Sequence, residues 1–367
     1  MKNRLLLLPP AILACSAFGP LLAQSPAPLA TPDSAVPAGA NAEPVVPVER
    51  ARDAGVFTIY VENDYFTGTD KDYTSGTKLS WLSGDLTEWG QTGWRSGFLA
   101  ALPFVNRPGT QKNFGFSLGQ QIYNPQDQLA NPPDPTDRPY AGWSYVELSF
   151  ISKDESRADI ISIQLGIVGP SSGAEKVQTE VHELIDDDIP QGWDYQLEDE
   201  PGLNLIYERR YRMAARAVGE SLGFDFIPHG GVSLGNVQTH ANLGGTARLG
   251  FNLPSDFGVG VARGASVGAS PIDDLDPRVA PDRDLSIFLF AGADGRAVAQ
   301  NIFLDGNTWK DSASVDKEHF VADVFVGVGL IAGRWQLTAT VVHRTKEFET
   351  QPDPWSRFGS VSLSVAF

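Results

Sequence analysis

From residue 55 onward apolar and polar residues alternate with a period of two. In 56–64, Phe57, Ile59 and Val61 alternate with Thr58, Tyr60, Glu62 and Asp64. In 113–123, Phe114, Phe116, Leu118 and Ile122 alternate with Gly115, Ser117, Gly119 and Gln121. The same rhythm runs through 159–168 and 335–344, and the chain ends Val361, Leu363, Val365, Phe367 against serines and Ala366. Successive strand side chains point to opposite faces, so each segment has one apolar and one polar face. Segments near 55–64, 73–83, 112–123, 141–152, 158–168, 202–214, 221–234, 240–252, 284–296, 318–332, 334–345 and 356–367 predict about twelve strands.

A soluble sandwich would alternate too. Three features favour a transmembrane antiparallel β-barrel instead. The polar face is rich in Gly, Ser, Thr and Gln, which suits a narrow hydrated lumen. The segments run about ten residues, the length a tilted strand needs to cross a bilayer. The last strand ends in Phe367, which resembles the terminal signature of bacterial outer-membrane barrels. No stretch past the N-terminus reaches the ~18 apolar residues of a membrane helix. The fold predicted is all-β, with a short helix in an extracellular loop. The connection 253–283, rich in Gly, Pro and Asp, falls by parity on the periplasmic side, where short turns are usual. Either the strand count slips there or the barrel carries a periplasmic elaboration.

Residues 1–23 read as a secretory signal: Lys2 and Arg4, then apolar runs, then Ala23. Residues 24–52 are a Pro/Ala-rich leader that cannot build a core. The barrel is expected over 53–367. Cys15, the only cysteine, lies in the signal, so neither a disulfide framework nor a cysteine zinc site is available. The chain carries 28 Lys+Arg against 45 Asp+Glu, a net charge of −17, which argues against nucleic acid as a partner. Loss of Lys2 and Arg4 with the signal would take −17 to −19.

If the first strand starts in the periplasm, the connections 65–72, 124–140 and 169–201 share the outer rim. The unusual polar clusters lie in or beside them: Glu62-Asn63-Asp64, Asp72 to Gly76, Asp137 to Trp143, and Gly169-Pro170 through Gln178, His182 and Asp186-Asp187-Asp188 to Trp193. A helix is predicted from Ala174 to Leu184 with Val177, Val181 and Leu184 on one face. A neutral histidine can act as general base on water. Aspartate oxygens suit a hard cation such as Ca²⁺, which can polarise an ester carbonyl, and an arginine can hold a phosphate. Each cluster also has a plainer structural explanation: a solvated histidine, turn chemistry at Asn63-Asp64, an acidic loop end, a loop ion pair at Arg138. Gly231-Val232-Ser233-Leu234-Gly235 matches the nucleophile-elbow spacing but lacks the helix that motif requires.

Taken together, these rim motifs make residues 55–367 resemble the outer-membrane lipid A 3′-O-deacylases. The resemblance implies a bacterial outer-membrane esterase with a twelve-stranded barrel and a site facing the outer leaflet. It implies calcium-dependent hydrolysis of the 3′-acyloxyacyl ester of lipid A, with lipopolysaccharide as substrate. His182 would activate water. Asn63 and Asp64 would sit at the calcium and oxyanion end, with Thr74 beside them and Arg138 and Tyr140 toward the substrate. Asp188, with Asp64 a metal ligand, stands where the family carries a glutamate. A family Lys-Arg pair in the second outer connection is not matched; Pro132-Pro133-Asp134-Pro135 stands there. Two other readings fit the pattern: a non-catalytic barrel, either a small channel or a structural protein, and a calcium-dependent phospholipase. Oligomeric state is not legible.

Overall fold

The computed structural model describes residues 53–64, 72–86, 89, 102, 104–218, 222–258, 270–280, 282 and 284–367. The signal and leader expected over 1–52 lie outside the described residues. The strands are β1 (Val56–Asn63), β2 (Asp72–Leu82), β3 (Gln111–Asn124), β4 (Ala141–Lys153), β5 (Arg157–Val168), β6 (Glu200–Tyr211) and β7 (Met213–Val218). They continue with β8 (Leu222–Gly235), β9 (Gln238–Phe251), β10 (Leu285–Asn301), β11 (Phe320–Ala332), β12 (Trp335–Thr345) and β13 (Trp355–Ala366). Among the described residues two α-helices interrupt them, α1 (Ala174–Ile185) and α2 (Ile302–Asp305).

Every strand pairs antiparallel with its neighbour, and β1 pairs with β13 from Val56↔Ala366 to Asn63↔Gly359. The sheet therefore closes on itself and leaves no open edge. β8 pairs first with β6, from Asn204↔Gly235 to Arg210↔His229, and then with β7, from Met213↔Phe226 to Val218↔Leu222. β6 and β7 are thus one stave broken at Arg212, and the barrel has the twelve staves that the alternation predicts.

The faces are reversed relative to a soluble protein. Phe57, Ile59, Leu79, Trp81, Phe116, Leu118, Val146 and Leu165 are exposed on the outside. Thr58, Lys78, Glu147, Ser149 and Asp225 are buried inside. A hydrocarbon surround rewards that arrangement. The interior charges are paired: Lys78 Nζ lies 3.0 Å from Glu147, which also accepts from Gln164 Nε2 at 2.7 Å.

Both mouths of the lumen are covered by described residues. At the end where β1 starts and β13 finishes, the described stretches 252–258 and 270–280 of the 252–284 connection bind residues of the barrel wall. Arg248 of β9 binds Asp225 of β8 at 2.6 Å and Asp256 at 2.5 Å. Arg278 binds Asp256 at 2.8 Å and Asp276 at 2.7 Å. Lys153 of β4 donates to the Pro271 carbonyl at 3.0 Å, and Gln111 of β3 to the Ile272 carbonyl at 2.6 Å. The strand count holds here, and the extra length is an elaboration that plugs the barrel. At the outer end α2 buries Ile302, Phe303 and Leu304, with Phe303 stacked on Tyr123 at 4.1 Å. Between the two closures a polar cavity of about 150 Å³ remains.

Candidate active site

The outer connections after β1, β3 and β5 lie at one end of the barrel, as parity requires. In β1 the odd positions point outward, so Asn63 follows Phe57 and Ile59 onto the external face, while Glu62 lines the lumen cavity. Register carries a row across the wall: Asn63↔Ser75, Ser75↔Ile122, Ile122↔Gly142. A register shift between Tyr73 and Ser75 puts Thr74 at a bulge, a device that re-aims a side chain. The Thr74 side chain itself lies outside the described residues. Asp64 is buried just past the end of β1.

α1 packs against β3 and β4 on this external face. Its seat is built by backbone and small residues. Gln120 Nε2 and Ser144 Oγ, both outward-pointing, donate to the Ser172 carbonyl at 2.9 and 2.7 Å. Gly142 leaves room for the helix: a Cβ there would lie 2.2 Å from Ser172 Oγ and 2.3 Å from Ala174 Cβ. Gly173 (φ 70°) starts the helix and Asp186 (φ 58°) ends it in the left-handed region that glycine, asparagine and aspartate tolerate best.

The helix buries Ala174, Gln178 and His182, spaced four apart, against the wall. Gln178 is fixed from both sides: Trp193 Nε1 donates to its Oε1 at 2.9 Å, and its Nε2 donates to Gln128 Oε1 at 3.3 Å. Trp193 packs on Tyr140, ring centroids 4.9 Å apart, and the Tyr140 hydroxyl donates to the Gln128 carbonyl at 3.0 Å. His182 Nδ1 lies 2.7 Å from the main-chain oxygen of Asp188. A carbonyl can only accept, so this contact puts the proton on Nδ1 and leaves the Nε2 lone pair available as a base.

The predicted residues divide into two groups. Asn63 lies on the outward row that runs from β1 through Ser75 to Ile122 and Gly142, and His182 is buried on the side of α1 that packs on β3 and β4. Asp188 meets the histidine through its main chain, and its carboxylate is exposed rather than turned onto the imidazole. Arg138 and Tyr140 are fully buried. The Arg138 guanidinium lies 3.3 Å from Glu347 and over the rings of Tyr123 and Phe348, at 5.0 and 6.0 Å. This ties the β3–β4 connection to the β12–β13 connection. Sequence reasoning missed Gln128, Asn124, Glu347 and the seat residues Gln120, Ser144 and Ser172. Only Gln120 and Ser144, polar residues on apolar strand faces, left a signal.

Calcium is implied by the motifs, and the donor set allows a test. Among the described residues no three His, Cys, Asp or Glu side chains form a metal-holding cluster. A cation here would draw on mixed oxygens. Asn124, paired in register with Asp72 at the outer end of β3, is fully buried, and among the described residues neither of its amide atoms has a hydrogen-bond partner. An orphaned amide oxygen at the outer end of β3 fits a hard, oxygen-preferring ion.

The family model for the outer membrane protein LpxR matches residues 13–367. The chain belongs to the LpxR family. This is the lipid A 3′-O-deacylase family whose motifs it resembles, and it places the protein in the bacterial outer membrane. LpxR from Salmonella typhimurium shares the fold with a TM-score of 0.66 at 19% identity, over 85% of this chain and all of that one. The KdgM porin (TM-score 0.35, 7% identity, 85% of this chain and 99% of that one) is far less similar. So is the β domain of the Bordetella autotransporter BrkA (0.36, 8%, 86% and 97%). No curated protein matches the chain. The LpxR family implies a lipid A deacylase, a hydrolase.

Proposed function

We propose that the chain hydrolyses the 3′-acyloxyacyl ester of lipid A in the outer leaflet, using His182 as general base. The observation carrying this is the buried His182 on the lipid side of the barrel wall, its Nδ1 held by a carbonyl and its Nε2 left basic. In this reading Nε2 takes a proton from water as the water oxygen attacks the ester carbonyl. The tetrahedral intermediate then collapses. The C–O bond to the sugar breaks, the imidazolium returns its proton to the departing alkoxide, and a fatty acid leaves.

Asn63 offers an amide from the wall toward the oxyanion, and Asp64, with Asn124, would hold Ca²⁺. When bound, the ion supplies positive charge to the ester carbonyl. Asp188 serves by orienting the imidazole through its carbonyl. Arg138 serves by ordering the rim, since its guanidinium faces Glu347 rather than the lipid. Chelation of calcium from the purified barrel should abolish ester hydrolysis, and added Ca²⁺ should restore it. Asp64→Asn should need much more Ca²⁺ for half-maximal rate. Full activity in excess chelator would overturn the calcium part of the proposal.

A further inference from the structure

The polarity of α1 is inverted for a helix lying on a protein. The face against the wall is Ala174, Gln178 and His182, while Val177 (41% exposed), Val181 (43%), Leu184 (84%) and Ile185 (47%) are uncovered. At about 100° per residue the helix divides into three arcs. The wall-facing arc is flanked on one side by Val177, Val181 and Leu184; Ile185, at the last turn, falls in line with the wall-facing arc but is exposed. The opposite flank and the top carry Lys176, Glu180 and Glu183, with Lys176 and Glu180 paired at 3.8 Å. Ile189, exposed just past the helix end, adds another apolar residue to this loop.

A soluble loop would leave such a stripe in water at a cost of roughly 25 cal/mol per Å² of apolar surface. An interfacial helix has this division into a charged flank and an apolar flank, with the apolar one resting in the acyl region. The surrounding wall agrees, because α1 sits on the external face of β3 and β4, whose exposed Phe116, Leu118 and Val146 belong to the lipid-facing belt. We infer that α1 is an interfacial helix and that its Val177–Val181–Leu184 stripe docks the acyl chains of outer-leaflet lipid. The buried edge of α1 that carries His182 then borders the hydrocarbon, and an acyl chain reaches it along the stripe without leaving the membrane. The substrate part of this inference rests on the esterase reading; the placement of the helix does not.

The only cysteine, Cys15, lies in the predicted signal, so single-cysteine spin labels on the full barrel report one site each. Labels at Val177→Cys and Leu184→Cys, in vesicles of lipopolysaccharide and phospholipid, should collide with oxygen more than with a water-soluble nickel chelate. Leu118→Cys supplies the lipid-facing reference. Labels at Lys176→Cys and Glu183→Cys should show the reverse. Stripe labels as accessible to nickel as the charged-flank labels would overturn the inference. So would spin–spin broadening between copies, which would make the stripe a dimer face. A Val181→Asp/Leu184→Asp variant that keeps heat-modifiable mobility should raise KM for vesicle-embedded lipid A at least tenfold with kcat within twofold. An unchanged KM would overturn the docking role. Residual activity in His182→Ala would sink the catalytic reading alone and leave the labelling result standing.

Discussion

At the scale of single residues, the rim is held by a few buried polar contacts whose partners are far apart in sequence. Arg138 and Glu347 are separated by two hundred and nine positions yet meet at 3.3 Å. Burial pushes the Glu347 carboxyl up, but the Arg344 and Arg138 guanidiniums outweigh it and hold it below the ordinary glutamate range. A carboxyl whose folded value lies below its unfolded one stabilises above the unfolded value and loses that contribution as pH falls. The tie between the two outer connections should therefore hold at neutral pH and weaken as pH drops below about 4.5, the unperturbed value. Limited proteolysis of the outer loops across pH 3–7 should show this, and Glu347→Gln should flatten the profile. Arg138→Ala leaves the buried Glu347 carboxylate with Arg344 alone, 3.4 Å away, and should cost about 1.5–3 kcal/mol of local stability at pH 7, the worth of a hydrogen bond to a charged group. None of this pairing is visible in sequence, because loops carry no periodicity that would put 138 beside 347.

At the scale of elements, most of the architecture was legible and the exceptions have causes. Strands buried on one face alternate, so their positions could be read to within a few residues; β4, for example, is predicted over 141–152 and observed as Ala141–Lys153. β10 runs to Asn301, past the predicted 296, because small residues such as Gly295 and Ala297 blur the alternation. The break at Arg212 interrupts a stave where two adjacent arginines, Arg209 and Arg210, mask the period. The helix after β5 was legible, but its apolar stripe would ordinarily mark the buried face. Here it marks an exposed face, which is what the interfacial placement inferred for α1 requires. The seat under that helix depends on Gly142, where a side chain would collide with Ser172 and Ala174. Gly142→Leu should lift α1 off the wall and cost about 10²-fold or more in rate, as small misplacements of catalytic groups do. Heat-modifiable mobility of the barrel should be retained. A fully active Gly142→Leu would show that the helix position does not matter to the chemistry.

At the scale of the molecule, the barrel is a scaffold rather than a passage. Arg248, Asp256 and Arg278 lock the inner plug, and α2 buries Ile302, Phe303 and Leu304 at the outer end. The protein in planar bilayers should therefore show no steady porin-like conductance; open-channel currents would favour the channel reading. The net charge of −17 also bears on this scale, since an anionic protein among anionic lipopolysaccharide accords with the proposed calcium dependence. The central claim is that His182 hydrolyses an ester of lipid A from the outside of the barrel wall. Its most direct test is mass spectrometry of lipid A from cells making the wild-type protein or His182→Ala, both assembled in the outer membrane and supplied with calcium. The account predicts loss of the 3′-acyloxyacyl mass with the wild-type protein, and a drop of about 10²–10⁴-fold in that conversion with His182→Ala. Unmodified lipid A with the assembled wild-type barrel, or equal conversion by both proteins, would contradict it.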